Sequence, residues 1–511
     1  MLLHPTCLPG PHGSGDLGAP ARRFIDFLAA SLQRWWQMLP IAPPGYGESP
    51  YSAESAFAGS PLLVSLEMLA ADGLLDEATL VPEHSLPRDH VEHAPTAAHR
   101  ARLLAAAFES FEARAGTDRA FDVFCGENAS WLEDFALYRA LKTAHGGVQW
   151  TRWTEALRTR EPRAIEAART RYARAIAFEK FVQYTFDTQW RALRAYAGER
   201  GVGLIGDLPI VVAHDSADVW RDPAAFFLDE GGEPTQVAGV PPDYFSATGQ
   251  RWGNPIYRWR RMQKSGYAWW IERLRIALRR FDAVRLDHFI GFQRYWAIPA
   301  TEPTAVRGRW MKGPGARFFD AVKAALGDLP LIAEDLGEVT PAVYALRDRY
   351  GLPGIKILQF AFGDDPSAPT FLPHTFRRRS VVYTGTHDND TTVGWFRDTG
   401  GGDSTRTAAQ AQAEREAVLR YLGTTGEQIH WDMIRLALAS VAGLALFPMQ
   451  DLLGLGSEAR MNRPGKSGRN WAWRLEEAAL TPELAEHLAE LTRTYGREGK
   501  GSARAARTVA S

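Results

Sequence analysis

The chain has 511 residues, 45% of them hydrophobic, which is ample for a large core and, by length alone, for about two to four domain-sized units. Lys plus Arg (59) nearly balances Asp plus Glu (60), which argues against nucleic acid as the main partner. Only two cysteines, Cys7 and Cys125, occur, so no disulfide framework is expected and a reducing compartment is the simpler reading.

The first residues, MLLHPTCLPG, carry no basic region and meet proline early, so they do not read as a signal peptide. A short apolar run, WWQMLPIAP (35–43), reads as the first strand. Residues from about 65 to 200 are rich in Ala, Leu, Glu and Arg and predict a mainly helical insertion. Within it, Ser130 and Glu133 form a capping-box pattern before a stripe of Trp131, Phe135, Tyr138 and Leu141. Phe178, Phe181, Val182, Thr185 and Phe186 make a second helical stripe. GVGLIGDLPIVVA (201–213) reads as another strand.

The segment from about 237 to 257 is dense in Gly, Pro and aromatics and reads as a long active-site loop. YAWWIERLRIALRRF (267–281) has helical periodicity. Strand-like runs follow at FDAVRLDHF (281–289), LPLIAEDLG (329–337), GIKILQFAF (354–362), SVVYTGTHDND (380–390) and LALFPMQDLLG (444–454). The longest apolar run, 438–449, is too short to cross a bilayer. The tail, 496–511, is small and charged and is expected to be disordered.

Alternating strands and helices predict a parallel sheet. Seven strands are visible, and an eighth is expected within the first 200 residues. Polar residues gather where the runs end. That suits the C-terminal, active-site face of a (β/α)8 TIM barrel of the α/β class. A doubly wound open sheet is the alternative, although no Gly-rich phosphate loop follows the first strand.

Three strand ends carry carboxylates. In FDAVRLDHF, strand alternation points Arg285 and Asp287 the same way. An arginine there favours and orients a carboxylate, as a nucleophile needs, although a buried salt bridge would look the same. Glu334 and Asp335 end the second run, and His387, Asp388 and Asp390 the third. Singly, Asp390 before Thr-Thr suits a helix N-cap and Asp335 before Leu-Gly a turn residue. Together they suit glycosyl transfer, which uses paired carboxyl groups. The 17 tryptophans, with flat faces and polar edges, suit sugar rings as well as a core. No HxxxH or Cys/His set completes a metal site around His288 and His387.

With these motifs assembled, the chain resembles the amylomaltases, the 4-α-glucanotransferases or disproportionating enzymes of glycoside hydrolase family 77 in the α-amylase superfamily. The resemblance spans nearly the whole length. It rests on LPGPHGSGDLG (8–18), PPGYGESPYS (43–52), GDLPIVVAHDSADVW (206–220), GVPPDYFSATGQRWGNPIY (239–257), FDAVRLDHFIG, IAEDLG, GTHDNDT and RMNRPG…NWAWR (460–474).

The resemblance implies a single catalytic barrel over 1–511 and a retaining, double-displacement reaction. It implies Asp287 as nucleophile, Glu334 as general acid/base and Asp388 as transition-state stabiliser. Asp207, Arg285, His288 and His387 would surround the scissile bond. Tyr51 would stack on the neighbouring sugar. Tyr244, Phe245, Gln250 and Trp252 would cover the acceptor side, and Asn462 would lie near the donor subsites. His12 stands where the pattern leads one to expect an aromatic residue.

The implied substrates are α-1,4-glucan donors with glucose or maltooligosaccharide acceptors. No cofactor, metal, nucleic acid, membrane or obligate protein partner is implied, and a cytoplasmic setting is expected. The rivals are an α-amylase-like retaining hydrolase and a catalytically silent glucan-binding protein.

Overall fold

A computed structural model describes residues 1–114, 119–242, 246, 248–401, 406–466 and 468–499. Its centre is a parallel sheet of seven strands in the order β1 (Trp35–Gln37), β2 (Gly203–Leu208), β5 (Ala283–Leu286), β8 (Leu331–Ala333), β9 (Gly354–Ile357), β10 (Ser380–Tyr383) and β11 (Leu444–Leu446). These are the seven runs read as strands. The sheet closes through the first residues of the chain. Leu2 bridges in parallel to Gln37 on one side and to Pro448 on the other. The Leu2 N–H donates to Phe447 O (2.9 Å) and the Met449 N–H to Leu2 O (3.0 Å), while the Leu3 N–H donates to Gln37 O (3.1 Å). The expected eighth strand is therefore residues 1–3, too short to carry any period, and the sheet is a (β/α)8 barrel.

A layer of side chains fills the barrel: Ile205, Ala283, Ile332, Ile355, Val381, Tyr383 and Leu446, all buried. Three of these strands then continue upward on the same inward face with a polar residue two positions later. Ile205 is followed by Asp207, Ala283 by Arg285, and Ile332 by Glu334. The apolar layer thus aims the polar ends into the mouth.

Six described α-helices lie between β1 and β2: Leu66–Ala71, His93–Arg114, Arg119–Ala144, Glu155–Arg158, Pro162–Arg171 and Ala173–Glu199. Trp131, Phe135, Tyr138 and Leu141 are buried, as the helical stripe predicted. The capping box at Ser130 does not form, because helix 119–144 runs straight through it. Its apolar face is continuous on both sides of Ser130, and packing overrides the local signal.

The segment 237–257 is also more regular than a loop. It holds most of β3 (Gln236–Val240) and all of β4 (Gln250–Pro255), which pair antiparallel in a small sheet with β6 (Arg294–Pro299) and β7 (Arg309–Lys312). Gly239 permits the hairpin: a Cβ there would sit 2.1 Å from the Gln250 carbonyl oxygen.

The tail begins in order. Arg497 donates to the carbonyls of Leu438 (2.6 Å), Ser440 (2.6 Å) and Ala442 (3.0 Å) and closes the C-terminal end of helix Ile429–Ala439. Residues 500–511 lie outside the described residues. No helix among the described residues is long and apolar enough to cross a membrane.

Candidate active site

Asp207 on β2 and Arg285 on β5 are register partners across the barrel wall. One guanidinium nitrogen, Arg285 Nη1, donates to both Asp207 oxygens (2.8 Å each) and to Asp287 Oδ1 (2.9 Å). Burial works against the Arg285 charge, but Asp207 and then Asp287 more than offset it, and its pKa is raised. Burial raises the Asp207 carboxyl, with Arg285 opposing. The Tyr51 hydroxyl donates to Asp207 Oδ2 (2.8 Å).

Immediately after Asp287 the chain turns. His288 takes a left-handed conformation (φ 49°), which few non-glycine residues adopt. That turn aims its backbone N–H at Glu334 Oε2 (2.5 Å), while Glu334 Oε1 accepts from the Leu336 N–H (3.2 Å). Burial pushes the Glu334 carboxyl well above the ordinary carboxylate range; Arg285 opposes the rise and Asp287 adds to it. The His288 ring stands edge-on to Trp252, with centroids 4.8 Å apart, and burial lowers its pKa to about 4.

Asp388 lies opposite, after β10, with its side chain 47% exposed. Asn462 Nδ2 donates to its Oδ1 (2.6 Å), and Arg460 Nη2 donates to its carbonyl (2.7 Å). His387 Nε2 is 3.5 Å from Asp388 Oδ2. The His387 ring stacks on Tyr51 at 5.1 Å, and Trp471 closes on both rings at 5.9 and 6.0 Å. Trp471 was not singled out by the sequence reading; the available signal was its place in NWAWR after RMNRPG. Tyr51 and Asp207 also line a cavity that runs back to Arg273, Ala277 and Phe281.

Gln250 and Trp252 sit on β4, joined by a hydrogen bond from Trp252 Nε1 to Gln250 Oε1 (3.1 Å). Tyr244 and Phe245 lie outside the described residues. The other expected site residues fall into one neighbourhood. Asp207, Arg285, Asp287, His288 and Glu334 form one wall, Tyr51 and His387 a stack, and Asp388 with Asn462 the facing rim.

Two local expectations are corrected. Asp335 is no plain turn residue: it is buried, accepts from the Ile355 N–H (2.8 Å) and pairs with Arg347 (2.5 Å). Asp390 is not the N-cap either. Thr391 caps helix Thr392–Arg397 through Gly394 N–H (3.0 Å), and Asp390 instead accepts from the Thr391 N–H (2.8 Å) and the Ser457 hydroxyl (2.6 Å). His12 is buried, 3.1 Å from His99 Nε2 and 3.1 Å from Glu67 Oε1, away from these residues. Among the described residues no group of three or more His, Cys, Asp or Glu is arranged to hold a metal ion.

A (β/α)8 barrel with carboxyl groups at successive strand ends, set among Tyr, Trp and His rings, defines the class of enzymes that break and remake glycosidic bonds. The comparisons narrow that class. The family model for 4-alpha-glucanotransferase matches residues 3–481. The 4-alpha-glucanotransferase of Thermus thermophilus is 49% identical, with 96% of each chain covered. That of Synechocystis is 46% identical, with 97% of each covered. The structure is also similar to the amylomaltase of Streptococcus agalactiae solved with acarbose. The TM-score is 0.92 at 35% identity, over 97% of this chain and 99% of that one. The chain belongs to the 4-alpha-glucanotransferase family, glycoside hydrolase family 77, and its activity is glycosyl transfer on α-1,4-glucans.

Proposed function

We propose that Asp287 is the nucleophile, Glu334 the general acid/base and Asp388 the stabiliser of the transition state. The observation that carries this reading is the contrast between neighbouring carboxyl groups. Arg285 donates to Asp287, while burial favours the protonated form of Glu334 on the adjacent strand. Two carboxyl groups set apart in this way have separate acid and nucleophile roles.

In the first half-reaction, Asp287 attacks C1 of the sugar on the donor side. The C1–O bond to the leaving chain breaks, and Glu334 passes its proton to that oxygen. The glucan is now an ester on Asp287. In the second half-reaction, Glu334, now a carboxylate, takes the proton of an incoming 4-hydroxyl, whose oxygen displaces Asp287 from C1. Two inversions retain the anomeric configuration. Asp388 and its neighbour His387 face the ring that gains positive charge. Tyr51, stacked on His387 and bonded to Asp207, is the platform for that sugar.

Donors are α-1,4-glucans, and acceptors are glucose or maltooligosaccharides. The acarbose bound to the Streptococcus agalactiae relative supports an oligosaccharide cleft. The β3–β4 hairpin, with Trp252 against His288, forms the acceptor side. Asn462 completes the donor rim. The setting is cytoplasmic maltodextrin and glycogen metabolism, within a single catalytic unit into which residues 65–200 are inserted.

Asp287→Asn and Glu334→Gln should each abolish disproportionation of maltotriose while circular dichroism stays native. Near-wild-type activity in either variant rejects these roles.

A further inference from the structure

The loop 385–391, which presents His387 and Asp388, holds a tight turn of its own, in which the Thr386 N–H and hydroxyl donate to Asn389 Oδ1 (2.9 Å each), but that turn does not fix where the loop sits on the barrel. Its two ends converge on one side chain. Thr384 follows β10, and Thr392 begins helix Thr392–Arg397. Between them lies Asp451, in the short helix Met449–Leu452 that follows β11, and only 1% exposed. Its Oδ2 accepts from the Thr384 hydroxyl (2.5 Å) and the Thr392 hydroxyl (2.8 Å). Its Oδ1 accepts from the Thr392 N–H (2.7 Å).

We propose that Asp451 is a positioning residue for glycosyl transfer, stapling both ends of the loop so that Asp388 is held against the sugar ring. The inference rests on the reading of Asp388 as stabiliser. A carboxylate is expensive to bury and is kept only where several donors meet it. Packing alone could be supplied by an apolar residue of similar volume. Joining a strand end to a helix start through three donors requires two acceptor oxygens on one rigid stem.

The neighbouring residue serves the other side of the same loop. Gln450 Nε2 donates to Ala459 O (3.3 Å), and the chain then leads to Arg460 and Asn462, whose donors grip the carbonyl and carboxylate of Asp388. Residues 450 and 451 thus tie the inner and outer supports of Asp388 to one barrel strand. Buried as it is, Asp451 acts through the loop.

The test is steady-state disproportionation of maltotriose by full-length Asp451→Ala and Asp451→Asn, with melting temperatures measured alongside. An ångström of misplacement costs about 100-fold in rate. The alanine variant should therefore lose about 100-fold in kcat with KM within about threefold of wild type. Asparagine keeps an acceptor for the Thr392 N–H and can turn its amide to the Thr384 hydroxyl, so it should recover about tenfold.

An unchanged kcat per folded molecule in Asp451→Ala overturns the proposal. So does an equal kcat loss in both variants that follows an equal loss of melting temperature. Should the alanine variant fail to fold, Thr392→Val removes one donor and keeps the backbone N–H. It should lower kcat about 5- to 10-fold, and an unchanged value also overturns the proposal. Asp388→Asn, assayed in parallel, separates the two readings. If it stays active, the role of Asp388 falls first and the staple with it; if it is inactive while Asp451→Ala is normal, only the staple falls.

Discussion

At the residue scale, the site turns on one nitrogen. Arg285 Nη1 meets three carboxylate oxygens, two on Asp207 and one on Asp287. Arg285→Met would leave Asp207 buried without its cation. Breaking a buried pair from one side costs about 3–5 kcal/mol, and a loss of that size is expected in denaturant unfolding at neutral pH. Glu334 carries the opposite sign. Its folded pKa lies above the ordinary 4.5, so the folded protein keeps a proton that the unfolded chain releases. That lowers stability progressively as pH rises from about 4.5 towards the folded value. Glu334→Gln cannot ionise. It should therefore melt higher than wild type at neutral pH, and the gain should vanish as pH falls through about 4.5, as a pH series of thermal melts would record.

Arg285 and Asp287 were readable together because strand alternation has a period of two, and Glu334 because it ends an apolar run. Asp207 entered only through the resemblance, although it follows Ile205 inward as Arg285 follows Ala283. Asp335, Asp390 and Asp451 were not readable. Their partners, at Arg347, Ser457 and Thr384, come from other elements, and no local pattern announces a tertiary acceptor.

At the element scale, the role proposed for the β3–β4 hairpin is to shape the acceptor side. Its composition resembles a loop because Gly and Pro replace the usual β-branched alternation. Its strand character comes from pairing with β6. Gly239→Ala would press a methyl group against the Gln250 carbonyl and open the register that carries Gln250 and Trp252. Transfer should fall relative to hydrolysis, and the rise in total reducing ends, which transfer leaves unchanged, measures it. Shortening the tip between 241 and 249 should act the same way. An unchanged product ratio in both variants would remove the hairpin from the acceptor side. In the helical region, by contrast, the stripe periodicity located the buried residues apart from the half-buried Phe178, and the starting point at Ser130 misled.

At the scale of the whole molecule, the barrel is closed by its first residues. Leu2 supplies the last ladder between β1 and β11, so the two ends of the sheet meet only after most of the chain is in place. Seven strands were legible because each is an apolar run ending in polar residues, whereas Leu2 offers too few residues to show a pattern. The mouth assembled above this barrel is sensitive to acid. His288 titrates near 4 when folded and near 6.5 when not. Below pH 6.5 the unfolded chain takes a proton that the folded site refuses, and stability is lost as pH falls towards about 4. At pH 5 the loss is about 2 kcal/mol, and His288→Gln should flatten that limb of the unfolding curve.

The covalent step is the centre of the account. A maltosyl fluoride needs no acid to release its leaving group, so Glu334→Gln can still form the ester on Asp287 but lacks the base to resolve it. Mass spectrometry of the protein after reaction, followed by peptide mapping, reads this directly. The expected result is one maltosyl unit on the peptide containing Asp287, absent in the Asp287→Asn, Glu334→Gln double variant. A glycosyl adduct on any other carboxylate, with Asp287 unmodified, would contradict it.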